Sequence, residues 1–127
     1  MTLIHDAKAI VAWLLVGLVC LATHDARAQE EPNEELIQMV VELVSDADRD
    51  MRALGLQQIR EEIPGEAATK SFVELLSKLP SDGQAELLEA LGDRGDAAAK
   101  PAVLDMLQSD QEAVRAASLR ALGALGG

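Results

Sequence analysis

The chain has 127 residues, 22 of them acidic and 11 basic, for a formal net charge of −11 at neutral pH. A surplus of that size repels phosphate backbones, and no basic stripe offsets it, which argues against nucleic-acid binding and favours solubility and basic partners. Aromatic rings and thiols are scarce, with no tyrosine, one phenylalanine, one tryptophan and one cysteine.

Residues 1–28 have the layout of a secretory signal: a short start carrying Lys8, an apolar run from Ala9 to Ala22, and Ala26-Arg27-Ala28 before Gln29. Small residues at the third and first positions before the cut suit signal peptidase. The apolar run is 14 residues long, below the ~18 that a spanning helix usually needs. Cleavage after Ala28 and a secreted or periplasmic destination are therefore expected, with retention of the leader as a membrane anchor as the alternative. A lipid-attachment reading at Cys20 is weaker, because Val19 stands where such signals carry a small residue. Cleavage would remove His5, His24, Trp13 and Cys20, leaving no imidazole, no thiol and Phe72 as the lone aromatic. The leader holds Lys8, Arg27, Asp6 and Asp25, so its loss leaves the net charge unchanged.

Residues 29–33 form a polar lead-in, and Asn33 is placed to cap a helix whose first turn holds Glu34 and Glu35, running to about Val44. Asp46-Ala47-Asp48-Arg49-Asp50 breaks the apolar pattern and offers acceptors for a second helix carrying Met51, Leu56 and Ile59 at helical spacing. Its alternating acids imitate the opening of a calcium loop, but Met51 stands where glycine is needed and Gln57 where a bidentate glutamate is needed. Capping is the expected role. Ile63-Pro64-Gly65 closes the first pair. The second pair spans Ala67 to Leu79, then a helix begun by Ser81 and Gln84 at capping-box spacing and ended at Leu91-Gly92. In the third, Pro101 falls in the first turn of its helix, and Ser109 with Glu112 marks the start of a last helix at Ser109. Val114, Leu119, Leu122 and Leu125 are its expected apolar stripe. No sustained alternation suggests a sheet.

One phrase is written three times: Val40-Val41-Glu42-Leu43-Val44, Phe72-Val73-Glu74-Leu75-Leu76 and Val103-Leu104-Asp105-Met106-Leu107, at spacings of 32 and 31 residues. A second phrase follows each copy in register, at Leu56 and Ile59, Leu88 and Leu91, then Leu119 and Leu122. A fixed period of this size marks a stacked array in which each unit needs a neighbour to bury its apolar face. The units are about 34–63, 66–92 and 97–125, within a domain covering 34–127.

The segment from Leu107 to Gly123 (LQSDQEAVRAASLRALG) resembles the short bacterial HEAT-like repeats first noted in bilin lyases: an acidic turn, Val-Arg, small residues, then Leu-Gly. The first unit keeps Asp46, Met51-Arg52 and Ile59 at corresponding positions; the second has Gly83-Gln84 in place of the Val-Arg pair. The resemblance implies an all-α, right-handed solenoid of about three antiparallel helix pairs, an ARM-type superhelix with the second helix of each pair lining the concave side. It implies protein binding through that face, here Ala53, Ala85 and Ala116 flanked by Gln57, Glu89 and Arg120. Arg52 and Arg115 stand at the family's recurring arginine position, where a tie to the acidic turn at Asp46 or Asp110 is the implied role. Glu89 and Arg120 are equivalent positions of adjacent units and are placed to pair across the stack.

On the first helices, Glu42, Glu74 and Asp105 form a column of acids, with Lys70 and Lys78 flanking Glu74 at four residues. No serine or threonine has a histidine partner once the leader is gone, so neither catalysis, a cofactor nor a metal is expected. The chain is read as an exported, non-catalytic scaffold for a protein partner, or alternatively a membrane-tethered accessory subunit. Leu119, Leu122 and Leu125 on the last helix make self-association through that end a further expectation.

Overall fold

The computed structural model describes residues 34–126; the expected leader, lead-in and Asn33 cap lie outside the described residues. Every described element is helical: α1 Glu34–Val44, α2 Arg49–Glu61, α3 Glu66–Val73, α4 Ser81–Arg94, α5 Lys100–Asp105 and α6 Glu112–Ala124. Short 3-10 turns extend α3 to Ser77 and flank α5 on both sides. Among the described residues no helix is long and apolar enough to cross a membrane.

Local chemistry sets each boundary. Asp48 caps α2, its carboxylate accepting from the Asp50 N–H at 2.8 Å and the Met51 N–H at 3.4 Å. That leaves the Asp46–Asp50 run a capping turn, with Asp46 itself accepting from the Asp48 N–H at 2.8 Å. At the other end of the second unit, α4 continues past Gly92 to Arg94 and stops at Gly95, whose φ of 76° is left-handed. A residue without Cβ enters that conformation without the usual clash, so Gly95 and not Gly92 ends the helix.

Neither expected capping box forms. Pro80 stands at the cap of α4 with no side-chain cap bond, and the Gln84 side chain instead donates to the Leu76 carbonyl at 2.7 Å. In the last unit the Ser109 hydroxyl accepts from the Gln111 N–H at 3.2 Å, a turn that delays α6 until Glu112. Ser109 thus competes locally for a nearby N–H group, as short hydroxyl side chains commonly do. Lys70 likewise pairs backwards with Glu66 at 3.1 Å, rather than with Glu74, because the α-helix tightens to 3-10 at Glu74 and changes the four-residue alignment.

The core is aliphatic with a single ring. Ile59, Phe72, Leu87, Leu88, Leu91, Val103 and Val114 are wholly buried, and Val40 and Val44 nearly so. The repeated phrase supplies the interior in the first two units, where Val40, Phe72, Leu75 and Leu76 are buried. In the third it supplies Val103, whereas Leu104 is 47% exposed. The stripe expected on α6 also shifts: Val114, Ala117, Ser118 and Ala121 are buried, while Leu119 is 62% exposed. That helix lies closest to α4, and it turns its small residues toward it.

Candidate protein-binding face

The three second helices carry the candidate face. Ala53 is exposed, Ala85 and Ala116 are half-buried, and Gln57, Glu89 and Arg120 are all exposed one turn further on. Since i and i+4 lie on one side of a helix, these six residues form a shallow column of methyls beside a column of polar ends. The Arg120 guanidinium donates to Glu89 Oε1 at 2.8 Å, joining the third unit to the second. The cleft beside this pair, lined by Gly92, Asp93, Ala121 and Ala124, holds about 220 Å³. That is smaller than an ordinary small-molecule pocket, so the face offers area rather than depth.

Beneath the face a second column holds the turns. Arg52 donates from Nη1 to the Asp46 and Ala47 carbonyls, at 3.3 and 2.9 Å, and Arg115 from Nη1 to the Ser109 carbonyl at 2.8 Å. Both arginines thus reach the turn before their helix, as the resemblance implies, but through turn carbonyls, which helix hydrogen bonding leaves open, rather than through the Asp46 or Asp110 carboxylates. Asp110 is exposed. The carboxylate that Arg52 does meet is Glu86 of the next unit, at 3.2 Å from Nε. Gln84 occupies the same register in the second unit, and its bond to Leu76 performs the same task with an amide. The departure from the arginine pattern is thus chemical and not functional, and the shared register of Arg52, Gln84 and Arg115 is the signal that would have found it.

Sequence reasoning missed a polar clasp at the other end of the second helices. Arg94, in the last turn of α4, donates to Thr69 Oγ1 at 2.7 Å, the Ile59 carbonyl at 2.8 Å and the Gly65 carbonyl at 2.9 Å. The buried Thr69 hydroxyl donates onward to Asp96 Oδ2 at 2.6 Å. The guanidinium carbon also stands 5.4 Å from the centre of the Phe72 ring, a cation–π contact. Burial pushes the Arg94 pKa down against the raising influence of Asp96, while the Thr69 hydrogen bond, then the Ala98 N–H, holds the Asp96 carboxyl below its ordinary range. One side chain thereby ties the end of α2, the start of α3 and the turn before α5 to α4. A basic residue in the last turn before a left-handed glycine was the available signal.

Residues 69–127 match the family model for HEAT repeats. That part of the chain is similar to HEAT repeats. Its helices are those of an α-solenoid, and no curated protein matches the sequence closely enough to count as a relative. HEAT arrays generally serve protein–protein interaction, since stacked repeats present an extended surface to a partner.

Proposed function

We propose that this HEAT-like protein is an exported, non-catalytic scaffold that binds a protein partner through the face made by Ala53, Gln57, Ala85, Glu89, Ala116 and Arg120. The observation that carries the reading is the alignment of these positions on three successive second helices, all reached by solvent. A flat floor of methyls bordered by polar ends suits a partner surface with a shallow apolar ridge. The chemistry after Ala28 agrees with a binding role, because it lacks the imidazole and thiol on which nucleophilic catalysis commonly depends. Export rests on the leader and its Ala26-Arg27-Ala28 ending.

Affinity capture from the extracytoplasmic fraction with the wild-type chain and a triple variant, Ala53→Lys, Ala85→Lys and Ala116→Lys, tests the face. Loss of specific partners at unchanged helicity is expected; equal capture by a folded triple variant would refute the face. Mass analysis of the N-terminus separates the two modes of export. A start at Gln29 supports release, whereas a start at Met1 in the membrane fraction supports the tethered accessory subunit.

A further inference from the structure

Each seam between units joins a forward-facing stripe on one second helix to a backward-facing stripe on the next. Direction is set by contacts across the two seams. A Cβ on Gly92 would stand 2.9 Å from Ala121 Cα, so Gly92 on α4 faces forward and Ala121 on α6 faces back. Glu86 and Asp93 of α4 reach back to Arg52 and Arg60 of α2, at 3.2 and 2.8 Å. Positions four apart share a side, which puts Leu88 with Gly92, and Ala117 with Ala121.

Moving one unit along the register gives the outward faces of the first and last described second helices. The forward stripe of α6 is Leu119 and Gly123, equivalent to Leu88 and Gly92. Leu88 is wholly buried, but Leu119 is 62% exposed, and a Cβ on Gly123 would meet nothing within 4 Å. The backward stripe of α2 is Met51, Leu54 and Gln58, equivalent to the buried Val114, Ala117 and Ala121 of α6. Met51 and Leu54 are 39% and 57% exposed. The molecule therefore carries both halves of its own seam, one at each end.

We propose that two copies of this chain associate head to tail, the Met51–Leu54–Gln58 stripe of α2 in one copy seating on the Leu119–Gly123 stripe of α6 in the other. The internal seams supply the register and not the spacing: Gly92 lies against the Ala121 backbone, whereas the open surface at Gly123 faces the longer Gln58 of the second copy at a wider separation. Leu119 on one stripe and Met51 and Leu54 on the other then leave water together. The contact is heterologous, so each copy retains one free half and growth beyond a dimer follows at high concentration. It uses neither the alanine column nor any partner bound there, and it stands apart from the proposed binding function. Two copies of net charge −11 repel each other, so the association strengthens with salt as the screening length falls to ~8 Å near physiological ionic strength.

Sedimentation equilibrium over a concentration series, on the chain as the cell matures it, tests the geometry with Leu119→Lys and Leu54→Lys. The wild type should grow in mean mass with concentration, more steeply in salt. Each variant alone should associate at least tenfold more weakly. An equimolar mixture of the two should recover a dimer and nothing larger, because only one junction in a mixed pair has both halves intact. Circular dichroism should show unchanged helicity, and Leu119→Gln with Leu54→Gln provides a milder pair should either lysine variant unfold. A wild type that stays monomeric throughout overturns the proposal. So does association abolished by one substitution and indifferent to the other, which would mean a like-with-like contact, and so does a mixture that remains monomeric.

Discussion

The seam between α2 and α4 and the seam between α4 and α6 occupy the same register and are built differently. The first is spanned by long charged side chains, Arg52 to Glu86 and Arg60 to Asp93, with Arg94 reaching the Ile59 and Gly65 carbonyls. The second has one exposed pair, Arg120 to Glu89, and beside it no side chain on α4, only Gly92 against Ala121. Bridged seams tolerate adjustment, because long side chains can follow a shift of a few tenths of an ångström. A seam closed by backbone against a methyl has no such slack. The repeat period therefore sets where neighbours meet without setting how stiffly they are joined.

The largest expected effect comes from Gly92→Val, which drives a branched side chain into the Ala121 backbone. We expect a loss of about 3 kcal/mol or more, read as a lower midpoint in chemical unfolding. Gly123→Ala is the matched control, since open space surrounds that position; it should stabilise by up to about 1 kcal/mol through helix propensity. Comparable losses from both substitutions would mean that the tight seam is not special.

Removing the clasp is the next test. Arg94→Met keeps the stem but leaves Thr69 and two carbonyls without their donor, and the expected cost is about 2–3 kcal/mol. A change below about 0.5 kcal/mol would show that water replaces the guanidinium without loss, making the bridged seam looser than described.

A smaller effect follows from Asp96. Its carboxyl is held below its ordinary pKa in the folded state, chiefly by the Thr69 hydrogen bond. A group depressed on folding contributes stability that is present above the unfolded value, ~3.9, and disappears as pH falls through the folded one. Melting temperatures measured from neutral pH to pH 2 should therefore fall less steeply at the acid end for Asp96→Asn than for the wild type. Superimposable acid limbs would remove Asp96 from the account. Smallest of all is Arg120→Gln, which opens the exposed pair with Glu89; thermal unfolding should change by no more than about 1 kcal/mol.

What could be read in advance divides along similar lines. Helix pairs and their period were legible because every unit repeats its apolar spacing, and the Asp46–Asp50 run was legible as a source of caps, with Asp48 singled out by the structure, because capping depends on neighbours two and three residues away. Ser81 and Ser109 have the same local signature and yet neither forms a capping box, since a proline stands at the cap in one unit and a turn intervenes in the other. The column of Ala53, Ala85 and Ala116 came from register alone. Its companion at Arg52, Gln84 and Arg115 was half seen, because an amide does not look like a guanidinium in sequence while reaching the same kind of carbonyl.

The amino-acid sequence by itself determined an acidic, helical, repeating molecule with an aliphatic interior, because periodicity and composition are local properties that each helix expresses alone. Tertiary structure decided which leucines are inside. Leu56, Leu88 and Leu119 are written alike, but among the described residues only the first two have a helix in front of them, and burial depends on the neighbour rather than on the residue. It also decided that Arg94 and Thr69, 25 residues apart, hold three segments together, since a clasp of distant polar groups has no period to betray it.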